Sequence, residues 1–249
     1  MDFMADGEIG SHTAAIFEPY SDLLLSKGTL LHPQEYWDEH VLEAYQHDLQ
    51  FCAHAEAEAG IEAVLWAIEK ACSVYPGKNL RPRIEHLELP TMTQLERMSK
   101  LGIIASMQPA FLDSTPAEMD SLMKNYGHTR MQRLDPFKSV IEHGIMIAGG
   151  SDSPVTPYDP IAGIYFAVNN PTMEDQRVSV KEAIKMFTVN AAYSAFEENE
   201  KGTIEAGKLA DLVVLSDDPF KIPPQELNRI KVEKVFVEGL VTEVILTEK

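Results

Sequence analysis

The chain reads as an α/β protein built on a parallel sheet and followed by a short β unit. Two patterns predict this. From Leu49 onward, short apolar runs alternate with polar amphipathic segments in a βαβα rhythm, and after Asn199 strand-like runs follow one another without helices between them. The 249 residues are 45% hydrophobic and 24% charged, enough chain to bury a core.

The strand-like runs are 50–54, 83–87, 102–108 and 144–150. Between the first two, Ile61, Leu65, Ile68 and Cys72 recur at spacings of four, three and four, which places them on one helix face. The next helix carries Met92, Leu95, Met98 and Leu101 at spacings of three; Pro90 precedes it, Thr91 is its cap and Gly102 closes it. Residues 136–143 and 179–192 are further helices. In the second, Val180, Ile184 and Phe187 form the stripe, and Ser179 with Glu182 has the form of a capping box. In the tail, 211–216, 234–238 and 241–246 are strands, with 212–215 expected to be buried and Gly202, Gly207 and Gly239 marking turns. No internal repeat or low-complexity tract occurs.

Lys plus Arg is 21 against 39 for Asp plus Glu, a net charge of −18, so the basic footprint that nucleic acid or an anionic membrane requires is missing. No stretch approaches the roughly 20 apolar residues of a membrane span, and MDFMADGEIGSH is not a leader, so the chain is expected in the cytoplasm. Cys52 and Cys72 are too few for a disulfide framework or a thiolate metal site, and both are read as core residues.

Three polar residues fall at the ends of strand-like runs: His54 closes QFCAH, His86 closes RIEH and Asp152 follows IAGGS. The carboxyl ends of parallel strands are where distant segments converge, and two histidines with a carboxylate suit zinc or a similar divalent ion with an open position for water. Each residue alone also fits a structural role, the histidines as hydrogen-bonded strand ends and Asp152 as a turn residue. His12, His32, His40, His47, His128 and His143 are read as solvated, with His12 the one exception to consider. Glu56 and Glu58 directly follow His54 and are within reach of such a site, but AEAEAG also reads as a solvated helix start. Gly149-Gly150-Ser151 lacks the lysine and spacing of a phosphate loop.

The runs ADGEIGSHTAAIFEPYSD, CAHAEAEAGIEAVLWAIE, RIEHLEL, GIIASMQPAFL, AGGSDSPVTPYDPIAGIYFAVN and EAIKMFTVNAAYSAFEENEKGTIEAGKLADLVVL together resemble the amidohydrolase superfamily. More narrowly they resemble its family 3 branch, which includes N-substituted formamide deformylase-like enzymes, from about Asp6 to the C-terminus. The resemblance implies a distorted (β/α)8 TIM-type barrel with a small β-sandwich, and metal-assisted hydrolysis of an amide, formamide or related C–N bond in a small-molecule substrate. It implies that His54 and His86 are the metal-ligand histidines of the family's strands five and six. Asp152 then corresponds to the strand-eight aspartate, which sits beside the metal and accepts a proton from the attacking water. The cofactor implied is a divalent metal, zinc first, with iron or manganese as alternatives and one or two ions.

The pattern also departs from the family. No His-x-His pair of the strand-one type occurs, the position of the strand-four lysine falls at about Asp2, and Glu56-Ala57-Glu58 stands where relatives have Ile-Gly-Asp. The chain is therefore expected to be about strands four to eight of a barrel over residues 1–198, with a C-terminal β-sandwich segment over 199–249. Open barrel edges are expected to make it self-associate, as a dimer. Arg83 and Glu85 flank His86 on alternate faces, and one of them is expected to orient it; Gln108, Asp6 and His12 are expected to line the substrate pocket. The alternative is a non-catalytic remnant that serves as a scaffold or assembly partner.

Overall fold

A computed structural model describes residues 3–242. Strands β1 (Phe3–Met4), β2 (Cys52–Ala57), β3 (Arg83–Leu89), β4 (Ile104–Met107) and β5 (Ile147–Gly149) form one parallel sheet whose spatial order follows the chain. The register runs Met4↔His54, Ala53↔Ile84, Ile84↔Ala105 and Ala105↔Ile147. Sequential order with right-handed crossovers places the helices that connect the first four strands on the same side of the sheet. That side holds the core. Ala53, Ala55, Ile84, Ala105 and Ile147 pack against Trp37, Val41 and Tyr45 of α1 (Gln34–Gln46) and Ile61, Leu65 and Ile68 of α2 (Glu58–Val74). Each fully buried Ile or Leu contributes about 1.5–3 kcal/mol. The opposite side of β2 and β3 presents Cys52, His54, Glu56, Arg83 and Glu85 to a cleft.

The amphipathic segments read from sequence form as expected. In α3 (Met92–Leu101) Thr91 and Gln94 complete a capping box, and Gly102 ends the helix at φ 65°. Helix α4 (Pro116–Met131), with non-helical Gly127 inside it, carries no clear single-face pattern in the sequence, whereas α1, whose Tyr36, Trp37, Val41, Ala44 and Tyr45 share one face, lies before the alternating region that begins at Leu49. The predicted helix 136–143 is α5 (Phe137–Glu142). Helix α6 (Pro160–Asn169) was not distinguished because its run PIAGIYFAVN is apolar on nearly every side. The predicted helix 179–192 is two: α7 (Val180–Met186), with the Ser179–Glu182 capping box, and α8 (Val189–Ser194). Thr188 breaks the run at φ −130°, ψ −100°. Phe187 is turned toward Gly149 and Gly163, so close that a Cβ on Gly163 would meet its ring at 2.3 Å, while Asn190 donates to the Ile147 carbonyl at 2.9 Å.

The tail forms an antiparallel sheet of β6 (Leu212–Leu215), β7 (Val232–Val237) and β8 (Leu240–Thr242). The predicted strand 241–246 lies mostly outside the described residues. The expectation of a buried strand at 212–215 is corrected: Leu212 and Leu215 are half-buried, and Val213 and Val214, which point to opposite faces of the strand, are both exposed. The tail is still joined to the main core through Leu227 and Ile230. Arg81, at the entry to β3, bonds to Glu198 and to the Tyr193 carbonyl and stacks on the rings of Tyr193 and Phe196. Cys52 is likewise not a core residue: β2 alternates so that Ala53 and Ala55 face the helices, and Cys52 borders the cleft half-buried.

A buried carboxylate joins the first two strands. Asp6 is fully buried, and its Oδ2 accepts from Ala15 N at 2.9 Å and Ala57 N at 3.1 Å, while Oδ1 accepts from Glu56 N at 3.0 Å. Ala57 caps α2 without a side-chain bond of its own, so Asp6 answers one of the helix's free N–H groups from another strand. Gly60 in the first turn of α2 makes room for it: a Cβ there would lie 2.5 Å from Asp6 Cγ.

Gly60→Ala therefore tests the contact. Helix propensity alone would stabilise the variant by about 1 kcal/mol, but displacing the Asp6 carboxylate should reverse the sign and cost about 2 kcal/mol net in urea unfolding. A second test concerns Asp135, whose burial pushes its carboxyl from an ordinary 3.8 up to about 7. Between those values the folded chain holds a proton that the unfolded chain releases, so this group's stabilising contribution is present below 3.8 and is lost as pH rises to about 7. Asp135→Asn should flatten the fall of the thermal midpoint across that window; parallel curves for parent and variant would show that the carboxyl does not titrate there.

Candidate functional site

The inner face of the sheet and the loops after its strands enclose a cleft of about 1270 Å³. Strand β2 runs three residues past His54, so His54 and Glu56, two apart, emerge on the same face. From β3 comes His86. Its backbone is left-handed, at φ 76°, as is that of Leu87 at φ 53°, and the register with β2 slips there from Ala55↔His86 to Ala57↔Leu89. This irregularity interrupts strict alternation, so Arg83, Glu85, His86 and Glu88 all border the cleft. The donor atoms of His54, Glu56 and His86 lie within 4.8 Å of one another.

His54 Nε2 stands 3.1 Å from the Gly7 carbonyl oxygen, 3.6 Å from Asp6 Oδ1 and 3.9 Å from Glu56 Oε1. The two imidazoles meet edge-on at 4.6 Å, and His86 stacks on Phe111, which follows β4. His86 Nδ1 and Gln108 Oε1 are both buried with no hydrogen-bond partner. Glu56 is buried; its Oε2 accepts from Ile9 N at 2.6 Å.

Burial and the neighbouring Asp6 push the Glu56 carboxyl up to about 8; burial raises Asp6 to about 6 and carries Glu88 well above the carboxylate range. Burial and the adjacent His54 push the His86 imidazole down, favouring its neutral, ligating form. Two imidazoles and a carboxylate gathered in this space, with an orphaned imidazole nitrogen among them, fit a divalent ion such as zinc.

The other residues singled out from sequence are distributed as follows. Asp152, at φ 51° after β5, lines the same cleft but is exposed and stands outside the 4.8 Å group. Gln108 is on the cleft wall. Arg83 Nε donates to Glu85 Oε1 at 2.8 Å, so these two cleft residues are bonded to each other. Asp6 is behind the wall, spent on backbone amides, and His12 is outside the wall, paired with Asp22 at 3.0 Å and packed on Tyr20. Sequence reasoning set Glu56 aside in favour of a solvated helix start and missed Glu88. Reading AEAEAG as a solvated helix start is corrected, because Glu56 is the continuation of β2 and Glu58, buried, accepts from Phe17 N and pairs with Arg133. The signal was available in the two-residue spacing from His54.

Comparison with known proteins agrees with this picture. A model of the amidohydrolase family matches residues 1–242. The chain is 35% identical to YtcJ of Bacillus subtilis over 250 residues, covering 96% of this chain and 46% of YtcJ. It is 29% identical to the N-substituted formamide deformylase of Arthrobacter pascens over 198 residues, 77% of this chain and 36% of that enzyme. An uncharacterized metal-dependent hydrolase from Pyrococcus furiosus superposes with a TM-score of 0.78 at 28% identity, over 89% of this chain and 45% of the other. The chain thus spans less than half the length of these relatives. It belongs to the amidohydrolase family, in the family 3 branch of metal-dependent hydrolases.

Proposed function

We propose that this chain is the C-terminal part of an amidohydrolase that hydrolyses an amide- or formamide-type C–N bond of a small molecule, its five parallel strands being about strands four to eight of a (β/α)8 barrel over residues 1–198. The β6–β8 sheet is then the returning part of a small β-sandwich in residues 199–249. One observation carries the reading: the ends of two adjacent strands bring His54 and His86 together in a cleft, with His86 Nδ1 buried and unpartnered. The sequential strand order and the deformylase relative support it.

His54 and His86 would hold a divalent ion, zinc by preference for this donor set. Bound there, the ion supplies Lewis acidity, which acidifies water and polarises a carbonyl oxygen. The chain's own groups do the rest. Asp152, exposed on the cleft wall, is the proton acceptor and returns the proton to the leaving nitrogen. Gln108, whose Oε1 has no internal partner, is placed to accept a hydrogen bond from the substrate. Phe111 packs flat on His86 and restricts the ring's rotation. The Arg83–Glu85 pair fills the polar floor of the cleft and keeps its one arginine neutralised. A second copy covers the open sheet edges, so light scattering should give a dimer; a monodisperse monomer at micromolar concentration would count against that.

His86→Ala should lower metal content per chain to near zero and cut amide or formamide hydrolysis at least about 100-fold, more than an outer contact would cost. Asp152→Asn should keep the metal while turnover falls by about 100-fold or more. Elemental analysis run alongside the rate assay separates the two, and unchanged turnover in His86→Ala would sink the assignment.

A further inference from the structure

Asp6, Glu56 and Asp152 all stand near His54 and His86, and their surroundings are not equivalent. Asp6 Oδ1 is 3.6 Å from His54 Nε2, but that carboxylate already accepts three backbone N–H groups and does not reach the cleft wall. Asp152 is on the wall and exposed, outside the compact donor group. Glu56 is inside that group, buried, and on the wall. One of its oxygens, Oε2, is held by Ile9 N at 2.6 Å, which fixes the carboxylate plane. The other, Oε1, points toward His54 Nε2 at 3.9 Å. Two donors bound to one ion at tetrahedral angles with bonds of about 2.1 Å lie about 3.4 Å apart, so small χ adjustments would bring Glu56 and His54 onto a shared ion.

We propose that Glu56 is a metal ligand of this chain, the third protein donor beside His54 and His86. The inference rests on the metal-dependent reading above and adds to it an anionic donor from the same strand as His54. Two neutral imidazoles and one carboxylate make a compact three-ligand set that leaves a position open, a pattern suited to catalytic zinc or to iron(II). The Ile9 amide then acts as the outer contact that orients the ligating carboxylate. With Glu56 offsetting part of the charge on the ion, Asp152 is left free for proton transfer, which matches its exposed place on the cleft wall.

The test is zinc affinity, measured by competition with a chromophoric chelator, together with the visible absorption of the cobalt(II)-loaded protein. Glu56→Gln, which removes the anionic donor with little change of shape, should weaken zinc binding at least about 100-fold and alter the cobalt spectrum. Asp152→Asn should leave both close to the parent. Glu56→His, which exchanges one ligating atom for another, should recover much of the lost affinity; this keeps the test decisive if the Gln variant folds poorly. Parent-like zinc affinity and an unchanged cobalt spectrum in Glu56→Gln, with His86→Ala unable to bind, would overturn the role of Glu56 and leave the metal-dependent reading standing. A parent chain that takes up neither zinc nor cobalt would overturn both.

Discussion

The Asp6 carboxylate holds the cleft end of the sheet together. Its two oxygens take backbone N–H groups from Ala15, Glu56 and Ala57, so one side chain sets the loop after β1, the exit of β2 and the entry to α2. Strand β1 is two residues long and could not position these segments through its ladder alone. His54 precedes the clamped amides by two residues, and Glu56 carries one of them. Their orientation into the cleft therefore depends on a bond made below the wall they stand on. Gly60 is part of the same device, since only a residue without a side chain lets α2 start against the carboxylate.

Around that clamp the protein concentrates acid. Asp6, Glu56, Glu88 and Asp135 are all buried, and burial raises every one of their carboxyl groups. Groups of this kind stay ionised only where a cation or hydrogen-bond donors offset the lost hydration. Asp6 has its three amides and Glu56 has the Ile9 amide. The arginines near the cleft are already engaged, Arg83 with Glu85 and Arg133 with Glu58. The inner end of the cleft thus gathers acidic groups around two imidazoles, and a bound cation there would favour their ionised forms.

Much of this was legible in residue order. Periodicity located α2 and α3, the Thr91 and Ser179 caps were visible as short motifs, and His54 and His86 stood out because each closes an apolar run. The α6 run was not, since its apolar residues lie on nearly all sides and give no face to read. The break at Thr188 was also hidden, since it lies beside Phe187, whose ring seats against two glycines distant in sequence. Glu56 was misread for a related reason: AEAEA suits a helix start and a strand equally, and the choice is made by Asp6 taking the amides of Glu56 and Ala57.

The sequence by itself determined the α/β class, the amidohydrolase resemblance and the identity of two histidines, because these depend on local periodicity and on motifs contiguous in the chain. Tertiary structure decided which acids join those histidines. Strand pairing between β2 and β3, the left-handed turn at His86 and the Asp6 clamp bring Glu56 inward and leave Asp152 on the outer wall. Such choices are made by contacts between residues some 30 to 50 positions apart, such as the 50 between Asp6 and Glu56, so the two-residue spacing of Glu56 from His54 is a signal that only those contacts decide.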